Sequence, residues 1–190
     1  VGTWVYEAQS PSFNSLPALK ISSSDGALVN IDTTDGESEQ ITHSLSTNGF
    51  TAFFMVERPS GSVSANYDLI GENASTSKTF FGQTTAANGY FLTNNGVTTN
   101  TPTFDLRQAG LLSLTFNHTT TNAVIHHHTK EETTFVGKVA ANYRFDNNLF
   151  GLFGRALSTN ASAKTGTASD KAPQNFRFAE FILYDRVLTD

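Results

Sequence analysis

The chain contains no cysteine. Disulfides, zinc–thiolate centres and thiol nucleophiles are therefore excluded. Charge is scarce as well: Asp, Glu, Lys and Arg make up 15% of the residues, against about 25% in ordinary globular domains. The balance is acidic, with a net charge of −5, and no basic patch stands out, which argues against nucleic acid as a partner. No apolar run approaches the roughly 18 residues needed to cross a bilayer, so membrane insertion is not expected. Helical periodicity is almost missing.

Thr, Ser and Asn take the place of charge. Thr fits a half-buried pleat, and Asn and Ser support Asx and Ser/Thr turns. The hydrophobic fraction of 38% with 14 glycines in 190 residues is ordinary for a globular chain. A chain of this length is expected to form one domain, here residues 1–190, and to bury roughly 70% of its unfolded surface without a covalent staple.

Short runs rich in Phe, Val, Ile, Leu and Thr recur about every 10 residues, separated by Gly, Asn, Asp or Ser, which predicts an all-β sandwich or barrel. The expected strands lie at 18–22, 27–32, 50–58, 67–71, 78–83, 90–93, 111–116, 123–128, 148–154 and 176–185. Two of them read as buried on both faces. In FTAFFMVER, Phe50, Ala52, Phe54 and Val56 share one face, and Phe53 and Met55 the other. In FRFAEFILYD, strict alternation groups Phe176, Phe178, Glu180, Ile182 and Tyr184 against Arg177, Ala179, Phe181 and Leu183. NNG at 94–96 and NHTTTN at 117–122 predict hairpin turns. The segment 156–175 reads as a long polar loop of the functional or mobile kind.

The order of four segments carries a family resemblance. LPALKISSSDGALVNI resembles the opening strands of laminin G-like, or concanavalin A-like, jelly-roll domains. FTAFFMVERPSG looks like their central strand, LLSLTFNHTTTNAVIHHH like a family hairpin, and RFAEFILYDRVLTD like the closing strand and exit turn. Trp4 only faintly echoes the family's early Trp-containing segment. The TKEE tip and the missing helix after the exit turn also depart from the pattern, and the chain is read as one domain cut from a longer protein. The resemblance implies a two-sheet antiparallel β-sandwich (a jelly roll). It also implies non-catalytic recognition of a cell-surface glycan or other receptor, extracellular or on a virion, in a phage tail or bacterial surface protein. The alternative is an assembly domain of a virus particle or fibre that contacts other protein subunits, and behind it a polysaccharide hydrolase or lyase.

Catalytic patterns are weak. Glycosidases of this fold carry a Glu-x-Asp-x-Glu strand that brings two carboxylates to about 5–5.5 Å. The nearest run, DGESE at 35–39, sits in a turn, and no Gly-x-Ser-x-Gly elbow exists. No catalytic residue is expected. Asp32 and Asp35 are the calcium candidates, the one cofactor that the family's habits suggest. Counting back from Gly36 places Ile31 at the first EF-hand position, so that motif fails.

Glycan binding calls for aromatic faces beside polar groups. Asn66, Tyr67 and Asp68 at a loop-to-strand junction, Tyr143 and Arg144 before a strand, and Arg155 at the start of the long loop are the candidates. Core or edge packing of the aromatic residues is the competing reading. In a strand, His126 and His128 share a face with Val124, and His127 points the other way. That pair could bind a ligand, or a transition metal if His118 supplied a third nitrogen. A polar strand face that is solvated or meets ligand accounts for the run with fewer requirements.

Overall fold

The structure is a computed structural model that describes residues 2–29, 49–58, 67–73, 78–83, 90–94, 97–101, 109–117, 119–120, 122–128, 133–138, 150–160, 165–169 and 171–189. Among these, the strands form an antiparallel β-sandwich. One sheet runs in the order β1 (Trp4–Glu7), β2 (Ala18–Ile21), β17 (Arg177–Tyr184), β5 (Phe50–Glu57), β10 (Gly110–Asn117), β11 (Asn122–His128) and β12 (Thr133–Lys138). The second runs β4 (Leu28–Val29), β13 (Phe150–Leu152), β6 (Tyr67–Asn73), β7 (Lys78–Gln83), β8 (Tyr90–Asn94) and β9 (Val97–Thr101). Two further pairs complete it: β14 (Arg155–Asn160) with β15 (Thr165–Ser169), and β3 (Asp25–Gly26) with β16 (Ala172–Pro173). The chain crosses repeatedly between the sheets, so residues far apart in sequence close one core.

Strand alternation builds that core. Phe50, Ala52, Phe54 and Val56 of β5, Leu112, Leu114 and Phe116 of β10, and Ala123 and Ile125 of β11 are fully buried. They meet Tyr67, Leu69 and Ile70 of β6 with Phe153 and Phe176. The Phe54 ring lies 5.1 Å from Phe181, and the Trp4 ring packs on Phe153 and Phe178 at 6.0 and 5.8 Å. Phe153 has a positive φ of 60°, which is rare for a bulky residue. Its backbone is held on both sides, its N–H donating to Leu69 and its carbonyl accepting from Ala172.

The predicted hairpins are present. Asn94 pairs with Val97 and Asn117 with Asn122. The Asn117 Oδ1 accepts from the backbone N–H groups of Thr119 and Thr120 at 2.9 and 3.1 Å, the Asx device expected there.

Three expectations are corrected. β5 is central, but only one of its faces is core: Phe53 and Met55 are half-buried on the outer face. In β17 a bulge falls between Phe178 and Glu180. One extra residue shifts the alternation, so Arg177 joins Glu180, Ile182 and Tyr184 outside, while Phe178 joins Phe181 and Leu183 inside. The long polar loop contains the β14–β15 hairpin, which packs on β6. β6, which β14 approaches, is buried from Tyr67 to Gly71. On the seven-stranded sheet Glu180, Ile182, Tyr184 and His128 are exposed, so its outer face is open there.

Candidate functional site

Three rows of residues cross that open face. Antiparallel register sets Glu180, Met55, Leu111 and His128 side by side on β17, β5, β10 and β11. The next row is Ile182, Phe53, Ser113 and His126, and the third is Tyr184, Thr51, Thr115 and Val124. Hydroxyl and imidazole groups gather toward β11, and apolar groups toward β17.

The polar end is a groove of about 610 Å³. Its floor is Ser113, Thr115, His126 and His128, and Phe53 bounds it toward the apolar end. The two imidazoles stack, with ring centroids 5.6 Å apart and planes 16° from parallel. Ser113 Oγ lies 3.4 Å from His128 Nε2. The C-terminal segment forms a wall through Val187, Leu188 and Thr189. Thr51 anchors it, as its hydroxyl donates to the Arg186 carbonyl at 3.1 Å and accepts from the Leu188 N–H at 3.0 Å. Gly49 makes room for it: φ is +94°, and a Cβ there would collide with the Phe116 carbonyl and approach Val187 Cγ2 to 3.0 Å.

The apolar end is a hollow of about 330 Å³ lined by Phe53, Met55, Leu111, Ile182, Tyr184 and Glu180. Tyr184 and Ile182 are 37% and 38% exposed. The Tyr184 ring stands edge-on to Phe53 at 6.1 Å, a geometry that holds its orientation. Phe53 borders both hollows, which lie side by side on the face.

Beyond the apolar end, β1, β5 and β17 are tied by charge. The Arg177 guanidinium donates to Glu7 Oε2 at 2.9 Å and to Glu57 Oε2 at 3.0 Å, and Ser12 Oγ donates to Glu57 at 2.6 Å. Burial alone would push the Glu7 carboxyl up. The hydrogen bond and charge of Arg177 with the charge of Lys20 outweigh it and hold the group below its ordinary 4.5. Burial likewise works against the Arg177 charge, and the two carboxylates more than offset it.

The residues proposed from sequence scatter. His126 and His128 line the groove together with Val124, on one face as expected. Tyr67 and Asp68 are fully buried and present no ring or carboxylate to a ligand. They sit in the buried strand β6, where burial drives the Tyr67 phenol well above its ordinary 10, against the lowering effect of the Arg58 charge. Arg155 opens β14, its backbone paired with Ser169, on the hairpin over the second sheet. Asn66, Tyr143, Arg144, His118 and the calcium candidates Asp32 and Asp35 lie outside the described residues. Glu180, grouped by strict alternation with Phe178, is instead exposed on the outer face with Ile182 and Tyr184.

Sequence reasoning missed Phe53, Ser113, Tyr184 and the Val187–Thr189 wall. The alternation of Ile182 and Tyr184 was readable, but an apolar outer face looks like core until its covering is known. Among the described residues no three His, Asp or Glu side chains gather as a metal cluster, and no helix is long and apolar enough to cross a membrane.

No protein-family model and no curated protein sequence matches the chain. Solved structures share its fold. A Trypanosoma rangeli sialidase in complex with sialic acid matches with a TM-score of 0.57 at 12% identity, over 98% of this chain and 31% of that one. Botulinum neurotoxin type C, described as interacting with two ganglioside molecules, matches with a TM-score of 0.57 at 13% identity, over 99% and 42%. The full extracellular region of zebrafish Gpr126/Adgrg6 matches with a TM-score of 0.51 at 14% identity, over 98% and 22%. The chain therefore spans less than half the length of each. The expectation of a non-catalytic domain does not stand: several of the matched structures are sialidases, so this fold gives no ground for excluding catalysis. What these likenesses establish is the antiparallel β-sandwich fold alone.

Proposed function

We propose that the chain recognises a glycan on the outer face of its seven-stranded sheet. The carrying observation is the pair of adjoining hollows, bordered in common by Phe53, in which His126, His128, Ser113 and Thr115 line one and Tyr184 the other. A sugar offers an apolar ring face and several hydroxyls. Aromatic rings with a few convergent polar groups match both demands. The names of two fold neighbours, one bound to sialic acid and one interacting with gangliosides, support the same ligand class. The setting that fits is extracellular, on a phage tail or bacterial surface protein of which this is one domain, with a cell-surface glycan as partner.

A second reading is an assembly domain that contacts other subunits. It is favoured by Val5, Tyr6 and Leu16, exposed by 46%, 64% and 61% around the β1 end of the sheet.

A glycan array separates the two. Binding that is lost in Tyr184→Ala and in His126→Ala/His128→Ala, with unchanged thermal melts, supports glycan recognition. An array without hits, together with self-association weakened by Tyr6→Ser, supports assembly. Mass spectrometry of each bound glycan after incubation decides whether bond cleavage accompanies binding.

A further inference from the structure

The chemistry of the open face changes from one end to the other. Within the row Glu180, Met55, Leu111 and His128, a carboxylate and an imidazole stand three strand spacings apart, about 14 Å. Around His128 the groove offers the imidazoles of His126 and His128, the hydroxyls of Ser113, Thr115 and Thr120, and the Asn117 amide, with no carboxylate among the described residues that line it. Such a set supplies hydrogen-bond donors that suit an acceptor-only anion. Around Tyr184 the hollow is apolar, and Glu180 is the one charged group among the described residues that line it. That end stacks on an uncharged ring face, accepts hydroxyl protons and repels an anion. Phe53 borders both hollows, and a single sugar ring is too short to reach the far end of each.

We infer that the face binds an acidic oligosaccharide lying across the strands in one direction. Its carboxylate-bearing sugar rests over His126 and His128, and an uncharged sugar stacks on Tyr184 with a hydroxyl donated to Glu180. This rests on the glycan-recognition reading and adds ligand charge, length and orientation to it. The carboxylate could belong to a sialic acid or to a uronic acid, since both present the same acceptor pair.

The test is an array of sialylated, uronic-acid-containing and neutral glycans, each from monosaccharide to hexasaccharide, with Kd measured for the best binders. The expected result is binding of acidic oligosaccharides from one of the two acidic sets. Neutral chains and free acidic monosaccharides should bind at least about tenfold more weakly. His126→Ala/His128→Ala should abolish the preference for acidic over neutral chains. Glu180→Gln should weaken the oligosaccharide and leave the acidic monosaccharide unchanged. Neutral chains binding as well as acidic ones, or a preference that survives the double histidine variant, would overturn the inference while glycan recognition stands. An array with no hits in any set overturns both.

Discussion

At the residue scale, similar side chains have opposite roles according to the face they occupy. Phe54 and Phe53 are neighbours on β5; Phe54 is fully buried against Phe181, and Phe53 borders both hollows of the open face. Phe54→Ala should therefore cost about 3–5 kcal/mol, because it removes a buried ring and leaves a cavity. Urea denaturation would show this as a lower midpoint at unchanged slope. Tyr67 and Tyr184 make the same contrast. Its place after a polar loop made Tyr67 a candidate for ligand contact, with core packing as the competing reading. Its ring packs at 5.7 Å on Phe176 in the core. Tyr67→Ala should accordingly lower stability by several kcal/mol, and it reports on folding and not on binding.

At the scale of elements, two contacts between strands and termini shape the open face. The first is Gly49 beneath the C-terminal wall. Gly49→Ala puts a Cβ at a positive φ and into the Phe116 carbonyl, so a loss of more than about 1 kcal/mol is expected. The wall at Val187 and Leu188 should be displaced with it, visible as faster amide exchange at Leu188, whose N–H donates to Thr51.

The second is the network of Glu7, Arg177 and Glu57. The Glu7 carboxyl is held below its ordinary 4.5 in the fold, so the unfolded chain takes up that proton first as pH falls. The contribution to stability is complete above about pH 4.5 and declines below it. Unfolding midpoints should drop on acidification below that point, and Glu7→Gln should flatten part of the drop. A bulge sets the network's side of the sheet. Without the extra residue at Ala179, Arg177 and Ile182 could not both face outward. Nothing in RFAEFILYD announces that bulge, because the bulged residue is an ordinary Ala with no glycine beside it.

At the scale of the molecule, the two sheets are unequal. The β14–β15 hairpin packs over β6 of the second sheet, while the outer face of the first remains open with hollows of about 610 and 330 Å³. A glycan bound there stabilises the native state by mass action. At a concentration 100 times Kd the gain is about 2.7 kcal/mol, which should raise the melting temperature by roughly 5–10 °C for a chain of this size. Tyr184→Ala should remove that rise without changing the melting temperature of the free protein.

The sequence by itself determined the strand positions at 18–22, 50–58, 78–83 and 111–116, the hairpins at Asn94 and Asn117, and the pairing of His126 with His128 on one face. These follow from local rules: alternation has a period of two, and Asn and Gly punctuate turns. Only the tertiary structure decided which of two alternating faces meets water. That choice depends on what packs above a strand, here a second sheet, a hairpin distant in sequence and a C-terminal segment anchored on Thr51. Tyr67 was thereby taken into the core and Tyr184 left outside it.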